Sequence, residues 1–144
     1  MKNYILFIGI IIVLVLVGGA FLSFARDEAK NNSLTIGEDD IFSVPGCYEI
    51  PLQAHRLLKN KRYQALIVLG YIEKGETLHG AVMGHVVHQS LINLQLEFNT
   101  PIGLGIIGPG ATIEQAQTRQ DSTARAAARA VIKSILPLQL LPSP

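Results

Sequence analysis

The chain has 144 residues, a single cysteine and a formal net charge of +1 at pH 7. This length suffices for one domain with a short appendage. The small net charge creates no strong field that would attract nucleic acid, and a single cysteine excludes an internal disulfide. Hydrophobic residues make up 49% of the chain and are distributed unevenly along it. We therefore expect one small domain that does not bind nucleic acid.

The N-terminal segment 4–25 contains no charged residue. A helix of about 22 residues would span roughly 33 Å, which is enough to cross the core of a bilayer. The segment therefore predicts a membrane anchor or an uncleaved signal-like segment, since no small-x-small cleavage site follows it. The alternative is a buried strand followed by a buried helix, with a break near Gly18-Gly19. The sequence leaves both alternatives open. We expect a cytoplasmic protein, and the first alternative would in addition attach it to a membrane.

After this segment, short β-branched runs alternate with amphipathic stretches. Strands are predicted at 41–44, 65–70 and 102–107, and helices at 49–58, 81–98, 113–119 and 124–136. This alternation is typical of an α/β protein whose mostly parallel sheet is covered on both faces. We divide the chain into the apolar segment 1–33, a main domain 34–137 and a loose tail 138–144.

Residue patterns assign faces and ends to these helices. Pro51 suits a first helical turn and Thr112 suits a helix N-cap, while Gly108-Pro109-Gly110 is predicted to be a loop. One face of the first helix carries the apolar residues Ile50, Ala54, Leu57 and Leu58. One side of the second carries Val82, Val86, Ile92 and Leu96, with Gly84 allowing close helix packing.

The stretch from Leu69 to His79 connects the central predicted strand to the helix that follows it. In open α/β sheets ligands bind beyond the carboxyl ends of the strands, which is where this stretch lies. Gly75 lets the backbone approach an anion, and Thr77 adds a hydroxyl and a backbone N–H near a helix start. His79 can carry a proton in both directions near neutral pH. Taken alone, a histidine at a helix start is also compatible with a plain solvated side chain.

Three segments occur together in a specific order and spacing. They are Val44-Pro45-Gly46-Cys47-Tyr48-Glu49-Ile50-Pro51, Gly75-Glu76-Thr77-Leu78-His79, and Ile113-Glu114-Gln115-Ala116 with Arg119. Together they resemble the lumazine synthase family of riboflavin biosynthesis, and the resemblance covers roughly residues 36–135.

The resemblance implies a flavodoxin-like three-layer αβα sandwich with a four-stranded sheet. It also implies homo-oligomers, either pentamers or larger shells, whose active site lies between subunits. The implied activity is that of a transferase without a cofactor. It condenses 5-amino-6-(D-ribitylamino)uracil with 3,4-dihydroxy-2-butanone 4-phosphate and releases phosphate and water. The product is 6,7-dimethyl-8-ribityllumazine.

The resemblance also implies roles for single residues. His79 would be the general acid/base. The residues that would bind substrate are Cys47, Tyr48 and Glu49 at the ribityl chain and pyrimidine; Tyr71, Ile72 and Glu73 at the pyrimidine edge; Glu76 and Thr77 at the phosphate; and, from a neighbouring subunit, Leu104 over the ring and Arg119 at the phosphate.

Some positions depart from the family pattern. The family's first strand ends in an aromatic residue that stacks on the pyrimidine, and the matching position falls near Ile11–Val13, which is aliphatic. The family has a lysine shortly after the phosphate-binding arginine. This chain lacks it, and only Arg125 is near enough in the sequence to replace it. The simpler prediction is that Arg125 and Arg129 lie on the surface. Leu104 replaces a common phenylalanine. These departures motivate a second hypothesis, a catalytically impaired ligand-binding or shell-forming homologue, with or without a membrane anchor.

Simpler roles compete with those that the resemblance implies. Glu49 could cap its helix, and Arg119 could be a solvated charge at a helix end. Cys47 is expected to be a small apolar filler, since no base is paired with it in the sequence. His85 and His88 are three residues apart, but no carboxylate is spaced to complete a metal site with them. We therefore predict no metal.

Overall fold

The sheet and its helices alternate regularly along the chain. The computed structural model describes residues 8–13 and 19–135. In chain order the elements are β1 (Ile8–Val13), α1 (Ala20–Asn31), β2 (Ile41–Val44), α2 (Ile50–Lys59), β3 (Ala65–Glu73), α3 (His79–Phe98), β4 (Ile102–Ala111) and α4 (Ile113–Ile135), with short 3₁₀ turns at Glu38–Asp40 and Cys47–Glu49. The strands lie in the order β2-β1-β3-β4, and each pairing is parallel. The predicted α/β class with a parallel sheet is confirmed.

Residues Ile8–Val13 form a central strand. β1 pairs in parallel with β2 on one side and with β3 on the other. A helix across 4–25 would have to keep the backbone hydrogen bonds of these residues within itself, whereas in β1 they cross to neighbouring strands. The membrane-anchor alternative for 4–25 is therefore wrong, and the strand alternative holds for Ile8–Val13. Among the helices of the described ranges, none combines the length and the apolar character needed to cross a bilayer.

Parts of two other predictions lie outside the described residues. The predicted tail 138–144 is one, and the outer parts of the apolar segment, 1–7 and 14–18, are the other. The predicted break near Gly18-Gly19 agrees with the start of α1 at Ala20.

The helices cover the sheet as two layers, and β3 supplies side chains to both. Residues along a strand point alternately to the two faces of the sheet. On one face Ile67, Leu69 and Tyr71 join a buried cluster with α1 and α4. On the other face Leu66, Val68 and Ile72 join a buried cluster with α2 and α3. Because both faces are covered, β3 reads in the sequence as a continuous apolar run, which is typical of parallel sheets.

Two predicted helix ends have the expected local chemistry. Pro51 lies in the first turn of α2, where the N–H that proline lacks has no helical acceptor. Thr112 precedes α4, and its hydroxyl accepts a hydrogen bond from the Gln115 N–H at 3.3 Å. The Thr112 N–H in turn donates to Gln115 Oε1 at 2.9 Å. This reciprocal pair is a capping box, and it confirms the predicted N-cap. The predicted face of α2 is also confirmed, since Ile50, Ala54, Leu57 and Leu58 are all buried.

Two predicted boundaries are wrong. The helices expected at 113–119 and 124–136 are one helix, α4, because the residues between them include no glycine or proline that would interrupt it. The loop expected at Gly108-Pro109-Gly110 belongs to β4, which continues to Ala111. The pairing of β3 and β4 shifts register between Tyr71 and Glu73, and this irregularity accommodates the extra residues.

Glycine is required at position 108 of this irregular strand. Gly108 has φ +95°, and a Cβ there would collide with the carbonyl oxygen of Ile72. An L side chain is disfavoured at such a φ, and no space exists for one.

The apolar residues on one side of the predicted helix 81–98, which is α3 in the structure, do not face the core. Val82, Val86, Ile92 and Leu96 are exposed on α3, as is Leu78 just before it. The buried side of α3 instead carries Gly84, Val87, Leu91 and Leu94. We call the five exposed side chains the α3 ridge. Because α3 is apolar on both sides, its periodicity does not identify which side meets the sheet.

Candidate active site

A cavity of about 330 Å³ lies beyond the carboxyl end of β3. It is the crevice in which parallel α/β sheets bind ligands. The three chain segments that meet there are the turn after β2, the end of β3 with its loop, and the first two turns of α3. The lining residues are Gly46, Cys47, Tyr71, Ile72, Glu73, Gly75, Thr77, His79, Gly80 and Met83.

The loop from Gly75 to His79 is exposed at the mouth of this cavity. A Cβ at Gly75 would have open space, with the Thr77 backbone nitrogen as its nearest neighbour at 3.9 Å. Leu78 occupies the N-cap position of α3 and offers no side-chain acceptor, but the Thr77 hydroxyl accepts a hydrogen bond from the His79 N–H at 3.3 Å. The N-terminus of α3 therefore points unpaired N–H groups and its positive dipole end towards this loop, an arrangement that favours an anion.

His79 is the first residue of α3, and its ring contacts Tyr48. The ring centroids lie 5.8 Å apart with an interplanar angle of 67°, which is an edge-to-face arrangement. Tyr48 is 43% exposed and comes from the 3₁₀ turn Cys47–Glu49. The structure therefore brings the turn after β2 directly against the candidate acid/base.

Cys47 anchors that turn in the protein interior. It is 3% exposed, and its thiol donates a hydrogen bond to the Tyr71 carbonyl oxygen over 3.7 Å. Burial raises the pKa of the Cys47 thiol to about 11, and the nearby Glu49 carboxylate adds to the rise. A thiol with this pKa is protonated near neutral pH, so it is a poor nucleophile. The expectation of an apolar filler fits this environment.

The end of β3 contributes residues of different kinds to the cavity. Ile72 is buried and packs in the cluster with α2 and α3, whereas Glu73 is exposed. The Tyr71 ring packs in the opposite cluster, and its hydroxyl donates to the Ala111 carbonyl oxygen at 2.9 Å. Burial, and next the charge of Glu73, raise the pKa of Tyr71. The Tyr71 hydroxyl is thus engaged in holding the end of β4 rather than facing the cavity.

Leu104 and Arg119 lie elsewhere in the same chain. Leu104 is half-buried on β4 and lines a separate cavity of about 420 Å³ between β4, α3 and α4. Arg119 is exposed on α4. Neither is among the described residues that line the His79 cavity. Within one copy of the chain, the structure therefore does not bring these two predicted site residues to His79.

Arg125 and Arg129 lie at the surface, as predicted, but both are paired with acidic side chains. The Arg125 guanidinium pairs with Asp121 on the same helix and with Glu28 of α1 at 3.4 Å. Arg129 pairs with the other oxygen of Glu28 at 3.3 Å. Glu28 is largely buried, so the two arginines supply the charge partners that a buried carboxylate requires. Arg125 therefore joins α4 to α1, which removes it as a substitute for the missing lysine.

The sequence does not predict some residues of the cavity. Gly46 belongs to one of the three motif segments but has no predicted role, and Gly80 and Met83 lie outside the predicted site. Met83 follows His79 by one helical turn, so the spacing i, i+4 alone places both on the same face of α3. A smaller neighbouring cavity of about 250 Å³ shares Glu73, Gly75 and Thr77, and its wall also includes Lys74, Ala81, Pro109 and Gly110.

The sequence of the chain matches one family over most of its length. The family model of 6,7-dimethyl-8-ribityllumazine synthase matches residues 15–139, which include every residue that lines the cavity. The chain therefore belongs to the 6,7-dimethyl-8-ribityllumazine synthase family, and the family predicted from the three segments is confirmed.

Individual members of this family are similar to the chain over about two thirds of its length. A 6,7-dimethyl-8-ribityllumazine synthase of Metallosphaera sedula is 43% identical over 93 residues, which cover 65% of this chain and 62% of that protein. The enzyme of the same name from Staphylothermus marinus is 42% identical over 95 residues, 66% of this chain and 63% of its own length. That of Saccharolobus solfataricus is 39% identical over 95 residues, 66% of this chain and 62% of its own.

Proposed function

We propose that this protein is a 6,7-dimethyl-8-ribityllumazine synthase, a transferase of riboflavin biosynthesis. It condenses 5-amino-6-(D-ribitylamino)uracil with 3,4-dihydroxy-2-butanone 4-phosphate and uses no cofactor. The observation that carries the proposal is the cavity beyond β3, where His79, the loop Gly75–Thr77 and the turn Cys47–Glu49 meet. Membership of the family and the names of the relatives support the same activity. The fold is the flavodoxin-like three-layer sandwich of this family.

His79 is the general acid/base of the proposed reaction. Imine formation, loss of phosphate and ring closure all require proton transfers, which a positioned histidine accelerates by about 10²–10⁴-fold. The exposed position of His79 at the cavity mouth lets it reach a bound substrate, and the backbone hydrogen bond to Thr77 fixes the start of its helix. The remaining acceleration comes from holding the two substrates together in one cavity.

The phosphate of the second substrate lies at the loop before α3. A leaving phosphate is stabilised by N–H donors and cations. The backbone N–H groups of Glu76 and Thr77, together with the positive end of the α3 dipole, supply the first kind of donor. Arg119 of a neighbouring copy supplies the cation, since Arg119 of the same chain is not among the described residues that line this cavity.

The ribityl-pyrimidine lies along the turn Cys47–Glu49 and the end of β3. Ile72 offers an apolar wall and Glu73 an exposed carboxylate at the pyrimidine edge. The end of β1, where the family has a stacking aromatic, is aliphatic in this chain. Leu104 of the neighbouring copy covers one face of the pyrimidine ring with an aliphatic side chain.

The α3 ridge supports a homo-oligomer. Its five apolar side chains are between 40% and 78% exposed in a single copy. A group of large exposed apolar side chains on one side of a helix typically marks an interaction site. A head-to-tail ring uses one surface patch of each copy against a different patch of the next. Such a ring would allow Leu104 and Arg119 of one copy to complete the cavity of its neighbour.

Subunit complementation tests the shared site. The variants His79→Ala and Arg119→Ala are each expected to have little activity. When they are unfolded together and reassembled in equal amounts, about one quarter of the shared sites receive both intact residues. Activity of the mixture should then rise towards about one quarter of the wild-type value. A mixture no more active than its components would contradict a site built from two copies.

Direct turnover tests the function itself. Purified full-length protein is incubated with both substrates, and lumazine formation is followed by its absorbance and fluorescence against a sample without protein. We expect product well above the uncatalysed background. No excess product would refute the proposed activity. If the ribityl-pyrimidine then binds without turnover, the catalytically impaired homologue is the correct description.

A further inference from the structure

We propose that Tyr48 is the positioning residue of His79, and that its aromatic ring holds the imidazole in the orientation needed for proton transfer. This inference rests on the proposed function and extends it. An exposed side chain at the first position of a helix turns freely about its side-chain bonds unless something restrains it. A general acid/base, however, must lie within hydrogen-bond reach of the proton that it transfers. A restraint on the His79 ring is therefore required.

The edge-to-face contact with Tyr48 is that restraint. The ring centroids are 5.8 Å apart at 67°, within the range in which aromatic pairs attract each other beyond simple burial. The hydrogen bond from His79 to the Thr77 hydroxyl involves the backbone N–H, so it fixes the start of α3 and leaves the imidazole free to turn. The Tyr48 ring acts on the imidazole itself.

Tyr48 is held in place by the residues on either side of it. Cys47 is 3% exposed and bonded to the Tyr71 carbonyl oxygen, and Ile50 is fully buried. The short 3₁₀ turn between them therefore has a fixed backbone, while the Tyr48 side chain remains 43% exposed. The anchored turn therefore holds the Tyr48 ring against His79.

The aromatic ring of Tyr48 acts through His79, while the backbone of its turn lies along the substrate. Among the described residues, His79 lines the cavity and Tyr48 does not. The ring, not the hydroxyl, makes the contact. These two facts predict that phenylalanine can replace Tyr48, and that removing the ring lowers kcat more than it changes KM.

The first experiment measures kcat and KM for Tyr48→Ala, Tyr48→Phe and the control Leu52→Ala. Leu52 is 54% exposed on α2 and has no place in the proposed site. We expect Tyr48→Ala to lower kcat about 3- to 10-fold, the ordinary strength of an aromatic pair, with KM within about 2-fold. Tyr48→Phe and Leu52→Ala should stay close to wild type. An increase in KM at unchanged kcat would instead assign Tyr48 to substrate binding and overturn the inference.

A double-mutant cycle separates positioning from every direct role. In the background of His79→Ala, the ring of Tyr48 has nothing left to position, so Tyr48→Ala should cause no further loss of kcat. An equal loss in both backgrounds would show that Tyr48 acts independently of His79.

NMR of the His79 imidazole tests the contact even if the protein forms no lumazine. The signals of His79 are identified by their absence in His79→Ala. We expect Tyr48→Ala to move them, whereas Leu52→Ala leaves them unchanged. If wild-type protein is inactive but the signals move, the proposed function fails and the contact stands. If Tyr48→Ala leaves them unmoved, the inference is wrong whatever the activity.

Discussion

At Gly84, α3 lies very close to Pro109 of β4. Replacing Gly84 by a larger residue should therefore displace α3 and, with it, His79. A Cβ at Gly84 would lie 2.6 Å from Pro109 Cδ and 2.9 Å from Pro109 Cγ. Carbon atoms in contact normally stay about 3.5–4.0 Å apart, so in Gly84→Ala the helix must retreat by roughly 1 Å. His79 lies five residues earlier on the same helix, about 7.5 Å along its axis, and moves with it.

The expected effects on stability and catalysis differ in size. Overpacking of this kind lowers the unfolding free energy by about 1–3 kcal/mol. Alanine stabilises a helix by about 1 kcal/mol relative to glycine, which offsets part of this loss. The net loss is therefore about 0–2 kcal/mol. A displacement of about 1 Å in a catalytic group can lower the rate by about 100-fold, so we expect kcat to fall by about 10- to 100-fold.

Urea unfolding and steady-state lumazine formation measure the two effects on the same variant. Gly19→Ala is the matched control, because a Cβ at Gly19 has no atom within 4 Å and the residue has φ −58°. The control should keep wild-type kcat. Wild-type kcat in Gly84→Ala, with an unfolding free energy that is unchanged or higher, would show that α3 does not depend on this close approach.

Three further predictions concern the core and its pH dependence. The pKa of Cys47 is about 11 in the folded chain against an ordinary 9.0, so the unfolded state binds fewer protons between these values. The unfolding free energy should therefore fall as pH rises from about 9 to 11, and it should fall less in Cys47→Ala, where only the raised pKa values of buried tyrosines such as Tyr71 remain. Gly103→Ala should lower the unfolding free energy in urea by about 1–3 kcal/mol, because its Cβ would press on the Ala127 carbonyl group. Tyr71→Phe should lower it by about 0.5–1.5 kcal/mol, since the hydrogen bond to Ala111 is lost.

Outcomes that contradict these three predictions are equally specific. An unfolding free energy that is flat between pH 9 and 11 would mean that the Cys47 thiol is not buried as described. Gly103→Ala as stable as wild type would mean that α4 can move away from β4 without loss. Wild-type stability in Tyr71→Phe would place the Tyr71 hydroxyl in water.

Local patterns in the sequence predict the elements whose signals have a single interpretation. The face of α2 and the capping box at Thr112 depend on neighbouring residues only, and both are confirmed. The strand at Ile41–Val44 also has the predicted bounds. The position of the cavity follows from the topology of parallel sheets, because the stretch after β3 must lie at their carboxyl edge.

Other features depend on contacts that no local pattern contains. A strand buried on both faces and a membrane helix are both apolar, so the strand at Ile8–Val13 is identified only by its pairing with β2 and β3. The α3 ridge has the composition of a core, and the packing of the opposite side of α3 decides that it is exposed. Likewise, Gly108-Pro109-Gly110 looks like a loop in the sequence, and only the register shift between β3 and β4 shows that the strand continues past it to Ala111.

Contacts between side chains from different elements also cannot be predicted from the sequence. The motif identifies Tyr48 and His79 as neighbours of a substrate, but the edge-to-face contact between them appears only when the turn after β2 meets α3. In the same way, the ion pair of Arg125 with Glu28 appears only when α1 packs against α4.

The rate of lumazine formation by His79→Ala, compared with wild type and with His85→Ala, tests the central claim most directly. His85 is an exposed histidine of the same helix and does not line the cavity, so it controls for the loss of any imidazole. We predict that His79→Ala is slower by about 10²–10⁴-fold, while His85→Ala stays within about 2-fold of wild type. Equal rates in all three proteins would contradict the assignment of the cavity beyond β3 as the active site.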